Sequence, residues 1–107
     1  MRRIEKFVSS DGRSPYSEWV SGLDRVVQGR VFAFVDRVSM GAGKKNLKAL
    51  GEGIFEIRID VGPGYRVYFG QTLKALILLI GGDKSTQTSD IKLARRYWSI
   101  YEQSKHL

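Results

Sequence analysis

The stretch Gly53-Ile54-Phe55-Glu56-Ile57-Arg58-Ile59-Asp60-Val61-Gly62-Pro63-Gly64-Tyr65-Arg66-Val67-Tyr68-Phe69 decides the fold. Phe55, Ile57, Ile59 and Val61 alternate with Glu56, Arg58 and Asp60, the period of a strand with one wet face. Gly62-Pro63-Gly64 is a turn signal, after which Tyr65, Val67 and Phe69 alternate with Arg66 and Tyr68. A three-residue loop here predicts a hairpin with Val61 opposite Tyr65, Asp60 opposite Arg66 and Arg58 opposite Tyr68. One face of the hairpin is then polar, carrying Glu56, Arg58, Asp60, Arg66 and Tyr68. The other face carries the core.

Toward the N-terminus, Ile4 to Val8 reads as a first strand, bounded by Ser9-Ser10-Asp11-Gly12. Ser14-Pro15 starts a helix, with Ser as N-cap and Pro at the first helical position. Tyr16, Trp19, Val20 and Leu23 give it one apolar face, and Gly22 ends it. Asp24 caps a second helix whose stripe is Val27, Val31, Phe34, Val35 and Val38, stopped by Gly41-Ala42-Gly43. This helical hairpin should cover the apolar sheet face, leaving Phe32 off the stripe and free to meet a partner. Toward the C-terminus, Leu73 to Ile80 is apolar on both faces and reads as a central strand. Gly81 to Thr86 is a loop, and a helix from Gln87 to Gln103 buries Ile91, Ala94, Trp98 and Tyr101. The order β-α-α-β-β-β-α is an α+β fold, read as one domain over residues 1–107.

Composition removes whole classes of chemistry. The 107 residues contain no cysteine, and their one histidine is His106, expected to be a disordered terminal residue. Thiolate metal sites, cysteine nucleophiles and histidine-activated serines are therefore not expected, nor is a cofactor. The net charge is +7, with ten Lys/Arg against six Asp/Glu before Ile54 and eight against five after Gly53. A basic patch must thus be assembled by folding, and it suits an anionic partner. No apolar run is long enough to span a membrane, and Met1-Arg2-Arg3 precedes no signal-like apolar region, so a cytoplasmic protein is expected.

The polar hairpin face is the main candidate site, because arginine forks bind phosphate and tyrosine can stack a base or move a proton. The same residues also fit a plain solvated face, with Asp60 and Arg66 as a cross-strand ion pair. Lys84, Ser85 and Thr86 precede a helix and suit a phosphate, or an ordinary helix cap. Lys44, Lys45 and Lys48 form a basic loop suited to an RNA backbone, or simply to water. Gly41-Ala42-Gly43-Lys44-Lys45 lacks the spacing of a nucleotide phosphate loop, since Asn46 follows.

Three consecutive blocks carry a resemblance: Gly53 to Asp60, Gly62 to Phe69 and Gly81-Gly82-Asp83-Lys84-Ser85-Thr86-Gln87. The sequence resembles the RelE/ParE toxin superfamily, and most closely its HigB-like addiction module killer branch. That resemblance implies a small twisted sheet packed on a helical hairpin, with a C-terminal helix. It implies a type II toxin–antitoxin toxin that cuts mRNA on the ribosome by attack of a 2′-OH on the adjacent phosphate, without a metal. Arg66 matches the arginine that such nucleases place on the scissile phosphate. Arg58 falls where members carry Lys or Arg, and Lys84 falls where many carry a basic catalytic residue. Glu56 stands at a position that is lysine in the best-studied sites, and the usual tyrosine near Asp90-Ile91 is absent. Tyr68 is a substitute for it, and the base is left open between Glu56 and Asp60. Expected partners are a cognate antitoxin, such as a small helix-turn-helix protein, and the ribosome with its mRNA, through Lys44, Lys45, Lys48, Ser85 and Thr86. Two alternatives stay open: a ParE-like inhibitor that binds DNA gyrase, and a degenerate toxin that retains only antitoxin binding.

Overall fold

A computed structural model describes residues 1–105; the expectation for His106 lies outside the described residues. The elements are β1 (Arg3–Lys6), α1 (Pro15–Ser21), α2 (Arg25–Ser39), β2 (Leu47–Gly51), β3 (Ile54–Ile59), β4 (Tyr65–Gln71), β5 (Ala75–Gly82) and α3 (Gln87–Lys105). Short 3-10 turns at Lys44–Asn46 and Lys84–Thr86 precede β2 and α3. The α+β class expected from the sequence is the class observed. Both N-terminal helices start where their caps place them. The Ser14 side chain accepts from the Ser17 N–H, and Asp24 accepts from the Val26 N–H at 2.8 Å, satisfying donors that a first helical turn leaves free.

The five strands form one sheet in the order β1-β5-β4-β3-β2, with β1 parallel to β5 and the other pairs antiparallel. β2 is an addition to the expected order. Its sequence Leu-Lys-Ala-Leu-Gly has little alternation, and its link to β3 is the tight turn Glu52-Gly53. Both turn residues are left-handed (φ 58° and 85°), which matches the twist of a two-residue hairpin but uses Glu-Gly rather than the usual Asn-Gly.

Ile57, Ile59, Val67, Phe69, Leu76 and Leu78 pack under Tyr16, Val20, Val27, Val31, Val35 and Val38 of α1 and α2. The expected polar face is wet only in part: Glu56 and Tyr68 are buried and Arg66 mostly so, while Arg58 and Asp60 stay exposed. α3 lies over it, and Ile54, Tyr68, Ala75, Ile77 and Leu79 form a second core with Ala94 and Trp98. Of the stripe expected on α3, Ala94 and Trp98 are buried, while Ile91 and Tyr101 pack partly buried at its edge. Trp98 lies flat on the backbone of Gly70, and Trp19 lies on Gly81 in the same way from the other side. Among the described residues, no helix is long and apolar enough to cross a membrane.

Two further expectations are corrected. The β3–β4 register is Ile59 opposite Tyr65, Arg58 opposite Arg66 and Glu56 opposite Tyr68. The connection is longer than three residues, running over 60–64, with Val61 N–H bonded back to Ile59 and Gly64 N–H to Val61. The slip is by an even number, so each side chain keeps its face while its partner changes. β5 also continues through Gly82, so the segment read as a loop from Gly81 begins as strand.

Candidate functional site

The corrected register brings Glu56 and Tyr68, then Arg58 and Arg66, into two adjacent cross-strand rows on the α3 side. Lys48 of β2 continues the first row, directly across from Glu56. The start of α3 closes the site from above. Asp83 caps the turn before α3, accepting from the Ser85 N–H at 2.8 Å, and Thr86 completes a reciprocal capping box. Hydrogen bonds from the side chain and backbone of Ser85 hold the Asp83 carboxyl below the usual carboxylate range, with Arg66 nearby adding to the effect.

Burial divides these residues. Glu56 is 1% exposed, and its Oε2 accepts from Gln87 Nε2 at 2.9 Å. Arg66 Nε lies 3.7 Å from the same Glu56 oxygen, and Arg66 Nη1 donates to the Gly64 carbonyl at 2.7 Å. The Arg66 side chain keeps 13% of its surface open. Tyr68 has no exposed surface. Burial first, then the charge of Glu56, pushes its hydroxyl far above the ordinary tyrosine range, so it stays protonated at neutral pH. Glu56 and Tyr68, both candidates for acid or base, thus lie beneath the surface, out of a substrate's direct reach.

Arg58 and Lys84 are exposed. A Cβ on Gly64 would sit 3.3 Å from Arg66 Nη1 and 4.0 Å from the Lys84 Cβ, so Arg66 and Lys84 flank one glycine. Arg58, Arg66 and Lys84 therefore converge at the end of the sheet where α3 begins, with Lys48 on the neighbouring edge strand. Lys44 and Lys45 are exposed on the preceding turn, which is tied to this end by Asn46 Nδ2 donating to Asp60 Oδ2 at 3.3 Å. The Ser85 and Thr86 hydroxyls are used internally: Ser85 donates to Asp83 and Thr86 to the buried Asp90. Burial raises the Asp90 carboxyl above its ordinary range, while the Thr86 bond acts against that shift.

Gln87 was not legible as a site residue. It reads only as a polar helix start, and nothing local signals that α3 would set it over Glu56. Among the described residues, no group of three or more His, Cys, Asp or Glu is placed to hold a metal ion. A groove of about 590 Å³ between the β4–β5 turn and the C-terminal half of α3 lies at the far end of β4, away from this cluster.

Two comparisons with known proteins cover this region. Residues 18–99 match the family described as phage derived protein Gp49-like (DUF891). A Haemophilus influenzae protein described only as an uncharacterized protein is 43% identical over 82 residues, covering 75% of this chain and 82% of that one. The family match spans every candidate residue from Lys44 to Gln87.

Proposed function

The chain belongs to the Gp49-like family, a RelE-like family of toxin–antitoxin toxins, and from that premise we propose that it is a HigB-like endonuclease cutting mRNA on the ribosome. The observation that carries this reading is the convergence of Arg58, Arg66 and Lys84 at one end of the sheet. Three cations grouped there, with Arg66 anchored and mostly buried and Arg58 and Lys84 exposed, suit a phosphate passing through a state of added negative charge. In the proposed reaction, a 2′-oxygen loses its proton and attacks the adjacent phosphorus. The bond to the 5′-oxygen breaks, leaving a 2′,3′-cyclic phosphate, and the 5′-oxygen takes up a proton. Arg58 and Arg66 hold the phosphate oxygens. Lys84, exposed where α3 begins, is proposed to serve the leaving oxygen. Asp60 is the exposed carboxylate next to Arg58 and fits the base role better than the buried Glu56. Lys44, Lys45 and Lys48 meet ribosomal RNA, and the cognate partner is an antitoxin, proposed to be a small helix-turn-helix protein.

One observation favours gyrase inhibition by binding instead. Arg66 already spends Nη1 on Gly64 and turns Nε toward Glu56, leaving less of its fork for substrate. Primer extension on mRNA after induction separates the two readings. The endonuclease gives codon-phased 5′ ends that vanish when translation is blocked. Intact mRNA together with lost DNA supercoiling is the outcome that the gyrase reading requires.

A further inference from the structure

Among the described residues, two buried side-chain polar atoms lack a hydrogen-bond partner, Arg66 Nε and the Tyr68 hydroxyl. Both face the same group. Glu56 lies 3.7 Å from Arg66 Nε, stands directly across the ladder from Tyr68, and is itself almost fully buried. A carboxylate is costly to bury, and among the described residues no other cation is paired with this one. We propose that Glu56, clamped by Gln87, is a positioning residue that sets the plane of the Arg66 guanidinium and directs its free edge at the phosphate of an RNA substrate. The proposal rests on the reading that Arg66 meets the scissile phosphate.

A guanidinium offers its N–H groups as a planar fork, so bonding one corner and setting a carboxylate against a second orients the third. The Gly64 carbonyl takes Nη1, and Glu56 stands opposite Nε. Nη2 is then the corner left for an incoming phosphate oxygen. Glu56 is well placed to hold that geometry because its backbone is paired on both sides, with Lys48 on one strand and Tyr68 on the other. Gln87 fixes the carboxylate from α3, 31 residues along the chain. The start of α3 is thereby tied to the reacting end of the sheet. At 1% exposure and with Oε2 occupied by Gln87, Glu56 acts through Arg66 rather than on the 2′-OH.

The test uses the full chain, Glu56→Gln and Gln87→Ala, with two readouts. The first is steady-state, multiple-turnover cleavage of mRNA on programmed ribosomes, analysed as kcat and KM. The second is hydrogen exchange of the Arg66 Nε–H by ¹⁵N NMR, which a merely structural role would not move selectively. In the wild type, Arg66 Nε–H should exchange at least about tenfold more slowly than that of exposed Arg25. Glu56→Gln keeps the volume and removes the charge. It should erase that protection and lower kcat by about tenfold or more, with KM changed by less than about threefold, the signature of a lost transition-state contact. Gln87→Ala should move both readouts in the same direction by less, and it decides the matter if Glu56→Gln does not fold. The proposal is overturned if folded variants cleave within about twofold of wild type, or if Arg66 Nε–H protection is unchanged. If the wild type itself cuts no mRNA, the nuclease reading falls, and Arg66 protection alone decides whether Glu56 positions it.

Discussion

Arg66→Ala should abolish toxicity in cells and lower ribosome-dependent cleavage by about 100-fold or more. That factor is the usual loss when one preorganised donor to a developing oxyanion is removed. Arg66 sits between Arg58, across the ladder, and Lys84, beside Gly64, so its loss leaves a gap at the centre of the cationic corner. The substitution also strips Glu56 of its cation. Glu56 keeps its bond from Gln87, so the fold should persist, and a melting curve checks it. If the single variant melts early, Arg66→Ala combined with Glu56→Gln removes the unpaired buried charge. The pair should then fold and still fail to cut. A folded Arg66→Ala protein with full toxicity would show that the corner is not the reacting site.

Gly70→Ala should destabilise the protein by roughly 3 kcal/mol or more, the upper range for forcing atoms into a filled core. An added Cβ would lie 2.1 Å from Trp98 Cε3 and 2.3 Å from Cζ3, so the indole must leave its seat on the strand. Trp98 has little room to move. It is 4% exposed, its Nε1 donates to the Glu52 carbonyl at 3.1 Å, and its ring stacks on Tyr101 at 5.4 Å. Urea unfolding measures the loss. Trp98→Ala alone should cost about 3–5 kcal/mol, and the double variant should lose less than the sum, because the two changes share one contact. A Gly70→Ala unfolding free energy within about 1 kcal/mol of wild type would contradict the packing described.

Local signals carried much of the fold. The alternation in β3 and β4 identified both strands and the side of each residue, because a period of two survives any even slip in pairing. Ser14-Pro15 and Asp24 located two helix starts through side chains that do bond the first-turn N–H groups. The tertiary placement of α3 was not legible. Its stripe of Ile91, Ala94, Trp98 and Tyr101 says that one side is buried but not against which sheet face. Glu56, Arg58, Arg66 and Tyr68 therefore read as a solvated surface, although α3 covers half of them. The loop over 60–64 hid the register, since Gly62-Pro63-Gly64 marks a turn without setting its length. The site was legible as a set of residue types, through Arg58, Arg66 and Lys84. Its division into an exposed cationic rim and a buried Glu56–Gln87 support depends on contacts between β3 and α3, which no short stretch of sequence contains.

The most direct measurement places purified protein on ribosomes programmed with an mRNA whose A-site codon carries either ordinary ribose or a single 2′-deoxy sugar at the cut position. A cut is expected within the A-site codon of the ordinary mRNA, ending in a 2′,3′-cyclic phosphate, with no cut at the deoxy position. Intact ordinary mRNA, or equal cutting of the deoxy substrate, would rule out ribosome-dependent cleavage through the 2′-OH.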